Sequence, residues 1–262
     1  MASYRYRAMI PAMECAKHGI NAKVNEGDAH IIVFSKPMLP DLDLAKKAKG
    51  NGTKVLVDFG DDHFKTDLYR DMAEIADGLV APTKNMAERL FQYTGKLADV
   101  IPDPYEMQLC EPHAEGNNAL WFGHNTNLND LEPWKKFLNG YDLRIVTGPK
   151  VSEGQVKWSV ESLKDELAMA NVVLLPTRKG VEYKSPNRLI NAVRAGCFPV
   201  CSRHPSYTEF SMVWVGDIRT GLQWAKSQQS LLNELVKEAQ EYVEKYSPQV
   251  VGKQWAQMLG AL

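Results

Sequence analysis

The chain has 262 residues, 44% of them apolar and 24% charged, a composition that is ordinary for a folded, soluble protein. At about 150 residues per domain, this length fits two small domains or one large one. The 31 basic and 32 acidic side chains nearly cancel to a net charge of −1. This balance excludes a protein that binds through bulk positive charge, such as a histone-like or polybasic membrane-binding protein.

The first hundred residues alternate short apolar runs with amphipathic stretches. The predicted strands are Ala29–Phe34, Thr53–Phe59, Gly78–Ala81 and Ala98–Ile101. The predicted helices are Asp41–Lys49, Lys65–Ala76 and a helix that Thr83 caps and Gly95 ends. The first helix begins near Ala8, so either the sheet lacks its first strand or Ser3–Arg7 supplies a short one.

Residues 102–118 interrupt this alternation with three prolines, which is typical of a linker. The alternation then restarts with five predicted strands, at Ala119–Phe122, Leu143–Thr147, Val172–Leu175, Phe198–Cys201 and Met212–Val215. The predicted helices are Leu128–Leu138, Val160–Ala168 and Pro186–Ala195, followed by nearly continuous helix from Gly221 to Leu262. Such alternation predicts an α/β protein of two Rossmann-like, doubly wound domains with a cleft between them, the N-terminal one abbreviated.

The localisation follows from segments that the sequence lacks. No apolar run approaches the roughly 18 residues of a membrane span, and no apolar segment of the kind found in secretion signals follows the N-terminal arginines. The four cysteines form no C-x-x-C pair, and Cys197 and Cys201 lie too far apart in an extended segment for a disulfide. We therefore predict buried, reduced thiols in a cytoplasmic protein without integral membrane association.

The loop after the strand Val172–Leu175 is the richest in charge, with Arg178, Lys179, Glu182 and Lys184. Ser185 and Pro186 then supply a helix-start signal. Free backbone N–H groups at that start, with Lys184 and Arg188 beside them, indicate a site for a phosphate or diphosphate. A solvated basic loop before an ordinary helix accounts for this pattern equally well.

A second group of candidate residues follows the strand Thr53–Phe59. Asp61, Asp62 and His63 stand at its carboxyl end, where they can orient or deprotonate an acceptor hydroxyl. Two alternatives stay open. Asp61 and Asp62 can hold a hard cation, although the further carboxylates of such a cage are missing. The segment can also be a plain turn that Asp62 caps, with His63 exposed.

The ordered set of motifs resembles nucleotide-sugar glycosyltransferases with two Rossmann domains, the GT-B architecture. The run NRLINAVRAGCFPV at Asn187–Val200 is similar to their N-K-L-x-E-A-x-A-x-G-x-P-V signature. Four shorter stretches occur in matching order: Tyr4–Arg7 with Pro11 and Gly19, Trp121–His124, Ile145–Pro149 and Asn171–Thr177. The best-known retaining branch has two glutamates eight positions apart, where this chain has Tyr183, next to Glu182, and Asn191.

The resemblance implies a domain division and a set of site residues. It implies an acceptor domain at residues 1–104, a linker at 105–117, a donor domain at 118–245, and a last helix at 246–262 that crosses back. The implied donor-binding residues are Gly123, His124, Asn125, Trp158, Arg178, Lys184, Ser185, Asn187, Arg188 and Asn191. The implied catalytic residues are Asp61, Asp62, His63 and Glu182, with Arg5 and Arg7 on the acceptor side.

The function that the resemblance implies is transfer of a sugar from a nucleoside diphosphate sugar, with UDP as the expected nucleotide, to a hydroxyl. The expected transfer is retaining and needs no metal and no cofactor besides the sugar donor. The short chain resembles compact virus-type enzymes, so the first expected acceptor is a 5-hydroxymethylpyrimidine in DNA, contacted by Arg5, Arg7 and the lysines Lys36, Lys46, Lys47 and Lys49. The alternatives are a surface polysaccharide or lipid-linked glycan as acceptor, and a non-catalytic relative that binds the nucleotide sugar.

Overall fold

The computed structural model describes residues 2–25 and 29–262, which form two compact units. The first unit comprises Met1–Tyr105, Tyr183–Ser185 and Lys245–Leu262, and the second comprises Glu106–Glu182 and Pro186–Glu244. Each unit is built on a sheet whose strands all pair in parallel. The prediction of an α/β protein with parallel sheets is therefore confirmed.

The first unit begins with helices and continues as alternating strands and helices. These elements are α1 (Ala2–Tyr4), a π-helical segment (Arg5–Met9), α2 (Ile10–Ala16), β1 (Ile31–Ser35), α3 (Leu39–Gly50), β2 (Lys54–Asp58), α4 (Asp67–Ile75), β3 (Gly78–Ala81), α5 (Lys84–Thr94) and β4 (Asp99–Val100). Local signals set several of these bounds. The Thr83 hydroxyl accepts the Met86 N–H at 3.2 Å at the start of α5, and Gly95 ends that helix in the left-handed conformation.

The second unit contains the remaining strands. Its elements are β5 (Asn118–His124), α6 (Leu128–Lys135), β6 (Asp142–Gly148), β7 (Val156–Lys157), α7 (Val160–Met169), β8 (Val172–Leu175), α8 (Asn187–Arg194), β9 (Phe198–Ser202), β10 (Trp214–Gly216), α9 (Ile218–Ser227) and α10 (Gln229–Tyr242). Short 3₁₀ segments lie at Asn125–Asn127, Pro205–Tyr207 and Val243–Tyr246, and α11 (Pro248–Gly260) belongs to the first unit.

The first sheet has four strands in the order β1-β2-β3-β4, with Val33 opposite Leu56 and Leu56 opposite Gly78. Successive residues of β2 point to opposite faces of the sheet. Val55 and Val57 pack into a core with α3, α4 and α5, whereas Leu56 packs into a second core with residues of α2 and α11. Helices therefore cover both faces of this short sheet.

The second sheet has six strands in the order β10-β9-β8-β5-β6-β7. The chain builds one side of it with β5, β6 and β7, and then crosses to the other side for β8, β9 and β10. Its direction of growth therefore reverses between β5 and β8, where Leu120 lies opposite Val173. In open α/β sheets, ligands bind beyond the carboxyl ends of the strands at such a reversal.

The segment expected to be a linker packs onto the second unit. Ala114 is fully buried and Met107 nearly so. The Cys110 N–H donates to the Arg194 carbonyl at 2.9 Å, and the His113 N–H donates to the Gly196 carbonyl at 2.9 Å. These contacts tie the irregular segment to the end of α8, which its proline-rich sequence did not indicate.

Several local predictions need correction. Ser3–Arg7 is helical, so it supplies no strand. The two-residue strand β7 was not predicted from the sequence. Ser185 does not cap α8, because the helix starts at Asn187 with Pro186 in the cap position. Three cysteines are buried as expected, but Cys110 is exposed. Among the described residues, no helix has both the length and the apolar character needed to span a bilayer.

Candidate functional site

The second unit offers a candidate site where its sheet reverses. Gly123 and His124 close β5, and Thr177 follows β8 in the loop that leads to α8. Arg188, in the first turn of α8, is partly buried, and its Nη1 donates to the Phe122 carbonyl of β5 at 3.2 Å. The guanidinium is thereby drawn to the carboxyl end of β5.

The partners of Arg188 are electrically neutral. Its guanidinium donates to the Phe122 carbonyl, and the buried Tyr207 phenol is near enough for the Arg188 charge to act on its pKa. Within residues 2–25 and 29–262, no carboxylate lies within ion-pair distance of it. An anchored arginine without an acidic partner keeps its full charge available for an anionic ligand.

The end of β5 is shaped for this close approach. A Cβ on Gly123 would lie 3.1 Å from the Trp121 ring and 3.3 Å from Nη1 of Arg188, so a larger residue would displace one of them. Trp121 is fully buried and therefore rigid. The buried Thr147 hydroxyl donates to the Gly123 carbonyl at 2.9 Å and fixes the strand end from the β6 side.

Tyr207 keeps its proton at neutral pH. Burial raises the pKa of its phenol to about 12, although the nearby Arg188 charge acts in the opposite direction. The Arg188 charge therefore lies near a neutral phenol and not near a phenolate. Sequence reasoning missed both residues as site residues. Tyr207 lies in no motif, and Thr147 lies in the Ile145–Pro149 stretch, where nothing indicated its bond to the Gly123 carbonyl.

The other expected donor residues occupy varied environments. The exposed His124 accepts the Thr126 N–H through Nδ1 at 3.3 Å, and the partly buried Trp158 donates its backbone N–H to the Thr147 carbonyl at 2.8 Å. The remaining expected donor residues are partly buried or exposed: Asn125, Arg178, Lys184, Ser185 and Asn187. Glu182, expected to be catalytic, is exposed in the same loop. Lys184 and Ser185 belong to the first unit, while Arg188 belongs to the second.

Asn191 does not present its amide to a ligand. The residue is only 2% exposed, and its Oδ1 accepts the backbone N–H groups of Glu106 and Met107, both at 3.0 Å. Its Nδ2 donates to the Asn187 carbonyl at 2.8 Å. The expected donor-binding role is therefore replaced by a structural role, in which Asn191 holds the segment at Glu106 and Met107 against α8.

In the first unit, the segment after β2 forms a turn. The Asp61 carboxylate pairs with Lys36 at 2.5 Å, and Asp62 accepts the Phe64 N–H at a long 3.4 Å. His63 is exposed, with its ring 5.6 Å from that of the buried Tyr69. This geometry matches the capped-turn interpretation and leaves the imidazole accessible. In the described part of the chain, no three His, Cys, Asp or Glu side chains converge as metal ligands.

Arg7 lies inside the first unit and does not face an acceptor. Its guanidinium donates to both carboxylate oxygens of Asp58, at 2.5 and 2.9 Å, and also contacts Asp103 at 3.3 Å. Arg7 is 4% exposed and Asp58 is fully buried. Burial by itself lowers the pKa of Arg7, but the Asp58 and Asp103 charges raise it overall. The structure therefore contradicts the acceptor-side role expected of Arg7, because the helical segment Arg5–Met9 places its side chain in the interior of the unit.

Arg5 lies nearer the surface, with its guanidinium 5.6 Å from the Tyr6 ring.

Comparisons with known proteins give the fold. No protein-family model and no curated protein matches the sequence. Among solved structures, apo OtsA is similar at 10% identity and a TM-score of 0.65, covering 97% of this chain and 76% of that chain. TarM is similar at 13% identity and a TM-score of 0.67, covering 93% of this chain and 57% of that chain. An α,α-trehalose-phosphate synthase (UDP-forming) from Burkholderia xenovorans, bound to glucose-6-phosphate, is similar at 8% identity and a TM-score of 0.65, covering 95% and 77%.

These neighbours are GT-B glycosyltransferases, and the chain has their fold of Rossmann-like α/β units with parallel sheets. The predicted GT-B fold class is thus confirmed. The similarity is one of fold, since the identities are 13% or lower.

Proposed function

We propose that the protein is a glycosyltransferase that moves a sugar from a uridine diphosphate sugar to a hydroxyl. The observation that carries this proposal is Arg188, an anchored arginine without an acidic partner in the described chain, at the sheet reversal of the second unit. Ligands collect at this position in open α/β sheets, and a guanidinium suits a diphosphate.

The fold neighbours support the choice of donor. The trehalose-phosphate synthase is named as UDP-forming. A TarM mutant from S. aureus, similar at 12% identity and a TM-score of 0.63, is bound to UDP, Fondaparinux and alpha-GlcNAc-glycerol. The similarity covers 50% of the TarM mutant's chain, so we use that structure only to support the choice of a UDP sugar as donor.

The proposed reaction needs a cation where the leaving group gains charge. The bond from the anomeric carbon to the diphosphate oxygen breaks, and the bond from that carbon to the acceptor oxygen forms. The leaving phosphate takes the acceptor proton, so the step needs no enzyme nucleophile, and we propose that the transfer is metal-independent and retaining. Arg188 and the N–H groups at the start of α8 stabilise the departing diphosphate, with Arg178 and Lys184 as further donors of positive charge.

We assign acceptor handling to the turn after β2. His63 is exposed at a strand end and can orient the acceptor hydroxyl. Asp61 and Asp62 keep the turn in place through Lys36 and the Phe64 N–H. Glu182, exposed in the loop before α8, is assigned to the donor sugar.

The acceptor is the least specified part of the proposal. The lysines that favoured DNA are partly neutralised, because Lys36 pairs with Asp61 and Lys49 with Asp77 at 2.9 Å. Lys46 and Lys47 remain exposed on α3. We therefore test DNA containing 5-hydroxymethylcytosine beside a polysaccharide or lipid-linked glycan, and the acceptor that incorporates sugar decides between them.

The test is release of nucleoside diphosphate from a panel of UDP sugars, with and without each acceptor. We expect UDP release by the wild-type chain, at least a hundredfold slower turnover in His63→Ala, and normal turnover in His18→Ala, an exposed histidine of the same unit. NMR of the product reports whether the anomeric configuration is retained. UDP binding without any turnover would identify a non-catalytic binding protein, and failure to bind any UDP sugar would refute the proposed function.

A further inference from the structure

Arg89 of the first unit contacts two aromatic rings. It lies in the middle of α5, is partly buried, and belongs to the same unit as Phe64 and Tyr183. Its guanidinium carbon is 5.9 Å from the centre of the Phe64 ring and 5.9 Å from the centre of the Tyr183 ring. A guanidinium is attracted to the face of an aromatic ring at such distances. Phe64 is 1% exposed and packs in the core of the unit, so it gives the guanidinium a fixed support.

The charge of Arg89 is not compensated by the described chain. Within residues 2–25 and 29–262, no carboxylate lies within ion-pair distance of its guanidinium. Its Nε is buried and has no hydrogen-bond partner there. Buried polar atoms of native proteins nearly always have such a partner, and an exception is explained by an ion, a water or a functional role. Arg89 is therefore a candidate for binding an anion.

Arg70 of α4 shows the opposite case in the same unit. Its guanidinium lies 5.3 Å from the Tyr93 ring, and its Nη2 donates to the Tyr93 hydroxyl at 3.3 Å. Its Nη1 also pairs with Asp67 at 3.6 Å. The Tyr93 and Phe64 rings are 5.3 Å apart between centroids, so Arg70 and Arg89 border one aromatic cluster. Of these two arginines, Arg70 has an acidic partner and Arg89 has none in the described chain.

The aromatic cluster lies beside the turn after β2. Phe64 directly follows His63, and the ring of Tyr69 is 5.6 Å from the His63 ring and 5.7 Å from the Phe64 ring. The buried Tyr69 hydroxyl, like the Nε of Arg89, has no hydrogen-bond partner in the described chain. Arg89 therefore contacts the residue next to His63, the side chain to which we assign the acceptor hydroxyl.

We propose that Arg89 binds an oxyanion of the acceptor, a phosphate or a carboxylate, so that the acceptor is an anionic hydroxyl compound. This inference rests on the proposed function, since it takes the acceptor hydroxyl to lie at His63. A guanidinium presents parallel N–H donors that match two oxygens of a phosphate or carboxylate. The bound oxyanion compensates the charge of Arg89 and orients the acceptor relative to His63.

The first test is calorimetry with inorganic phosphate in the presence of saturating UDP, which fills the proposed donor site. We expect saturable phosphate binding by the wild type and an affinity about tenfold lower or less in Arg89→Met. The matched control is Arg70→Met, which removes the arginine that Asp67 already compensates and should bind phosphate as the wild type does. Acetate in place of phosphate tests the carboxylate. A wild type that binds neither anion would overturn the inference.

A second variant keeps the test decisive if Arg89→Met does not fold. Arg89→Lys retains the positive charge but lacks the planar pair of donors, so its phosphate affinity should be about threefold lower than that of the wild type. Thermal melting shows whether each variant is folded. Wild-type phosphate affinity in either folded variant would overturn the inference.

The sugar-transfer assay tests whether the anion site serves the acceptor. Inorganic phosphate should raise the KM of the acceptor at unchanged kcat in the wild type, and should have no such effect in Arg89→Met. Phosphate binding that leaves the acceptor KM unchanged would overturn the role of Arg89 in acceptor binding. Failure to bind any UDP sugar would instead refute the proposed function, and the phosphate titration without UDP would still report whether Arg89 binds an oxyanion.

Discussion

Two anchored arginines, one in each unit, differ in what neutralises them. Arg7 of the first unit donates to both oxygens of the buried Asp58 and also contacts Asp103. Arg188 of the second unit donates to the Phe122 backbone carbonyl, and among the described residues it has no carboxylate within ion-pair distance. The first cation is compensated by carboxylates in the folded chain, whereas the second is positioned but left charged. This difference separates an arginine that stabilises the fold from one that is suited to bind an anion.

The largest effect is expected at the compensated arginine. Arg7→Met leaves the Asp58 carboxylate buried without its partner, which should lower the free energy of unfolding by about 3–5 kcal/mol in urea denaturation. The control is Lys135→Met, which removes an exposed pair with Glu132 and should change stability by less than about 1 kcal/mol. Equal effects of the two substitutions would contradict the assignment of Arg7 to the core.

The next effect is expected at Asn191. Asn191→Ala leaves the N–H groups of Glu106 and Met107 without their acceptor, so we expect the free energy of unfolding to fall by about 2–3 kcal/mol. The affinity of the folded variant for UDP should not change. A selective loss of UDP affinity at unchanged stability would instead support the donor-binding role expected of Asn191 from the sequence.

Arg188→Met makes the same substitution at the arginine that has no carboxylate partner among the described residues. Its neutral partners need no charge compensation, so the free energy of unfolding should change by less than about 1 kcal/mol. The affinity for UDP should fall about 10- to 100-fold, because a hydrogen bond to a charged group contributes about 1.5–3 kcal/mol. Arg219→Met, an exposed arginine of the same unit, is the control and should leave calorimetric UDP affinity unchanged. A large stability loss with normal UDP affinity would show that Arg188 stabilises the fold as Arg7 does, and the proposed difference between the two arginines would then be wrong.

The smallest effect is expected at Gly123. The added methyl group of Gly123→Ala meets the rigid Trp121 ring at 3.1 Å and Arg188 Nη1 at 3.3 Å. We expect a stability loss of about 1 kcal/mol and a UDP affinity a few-fold lower, as the guanidinium shifts. Gly50→Ala, where a Cβ would meet no atom within 4 Å, should show neither change. An unchanged UDP affinity in Gly123→Ala would mean that the site tolerates a displaced arginine.

Local patterns in the amino-acid sequence were enough to predict most of the regular elements and the class of fold. Alternating apolar runs specified β3 and β8 at their observed bounds, and Thr83 and Gly95 marked both ends of α5. These signals are local, because caps and periodicity act within a few residues. The same local information identified the loop before α8 and the turn after β2 as places for chemistry.

Which partner each candidate side chain contacts depends on the tertiary structure. Nothing in the sequence near Arg7 indicated that Asp58 and Asp103 would neutralise it, and nothing near Arg188 indicated that the Phe122 carbonyl would anchor it. Asn191 likewise became a support for the backbone at Glu106 and Met107. The partner of a charged or polar group is a contact between distant parts of the chain, so it depends on how strands and helices pack, which local patterns do not specify.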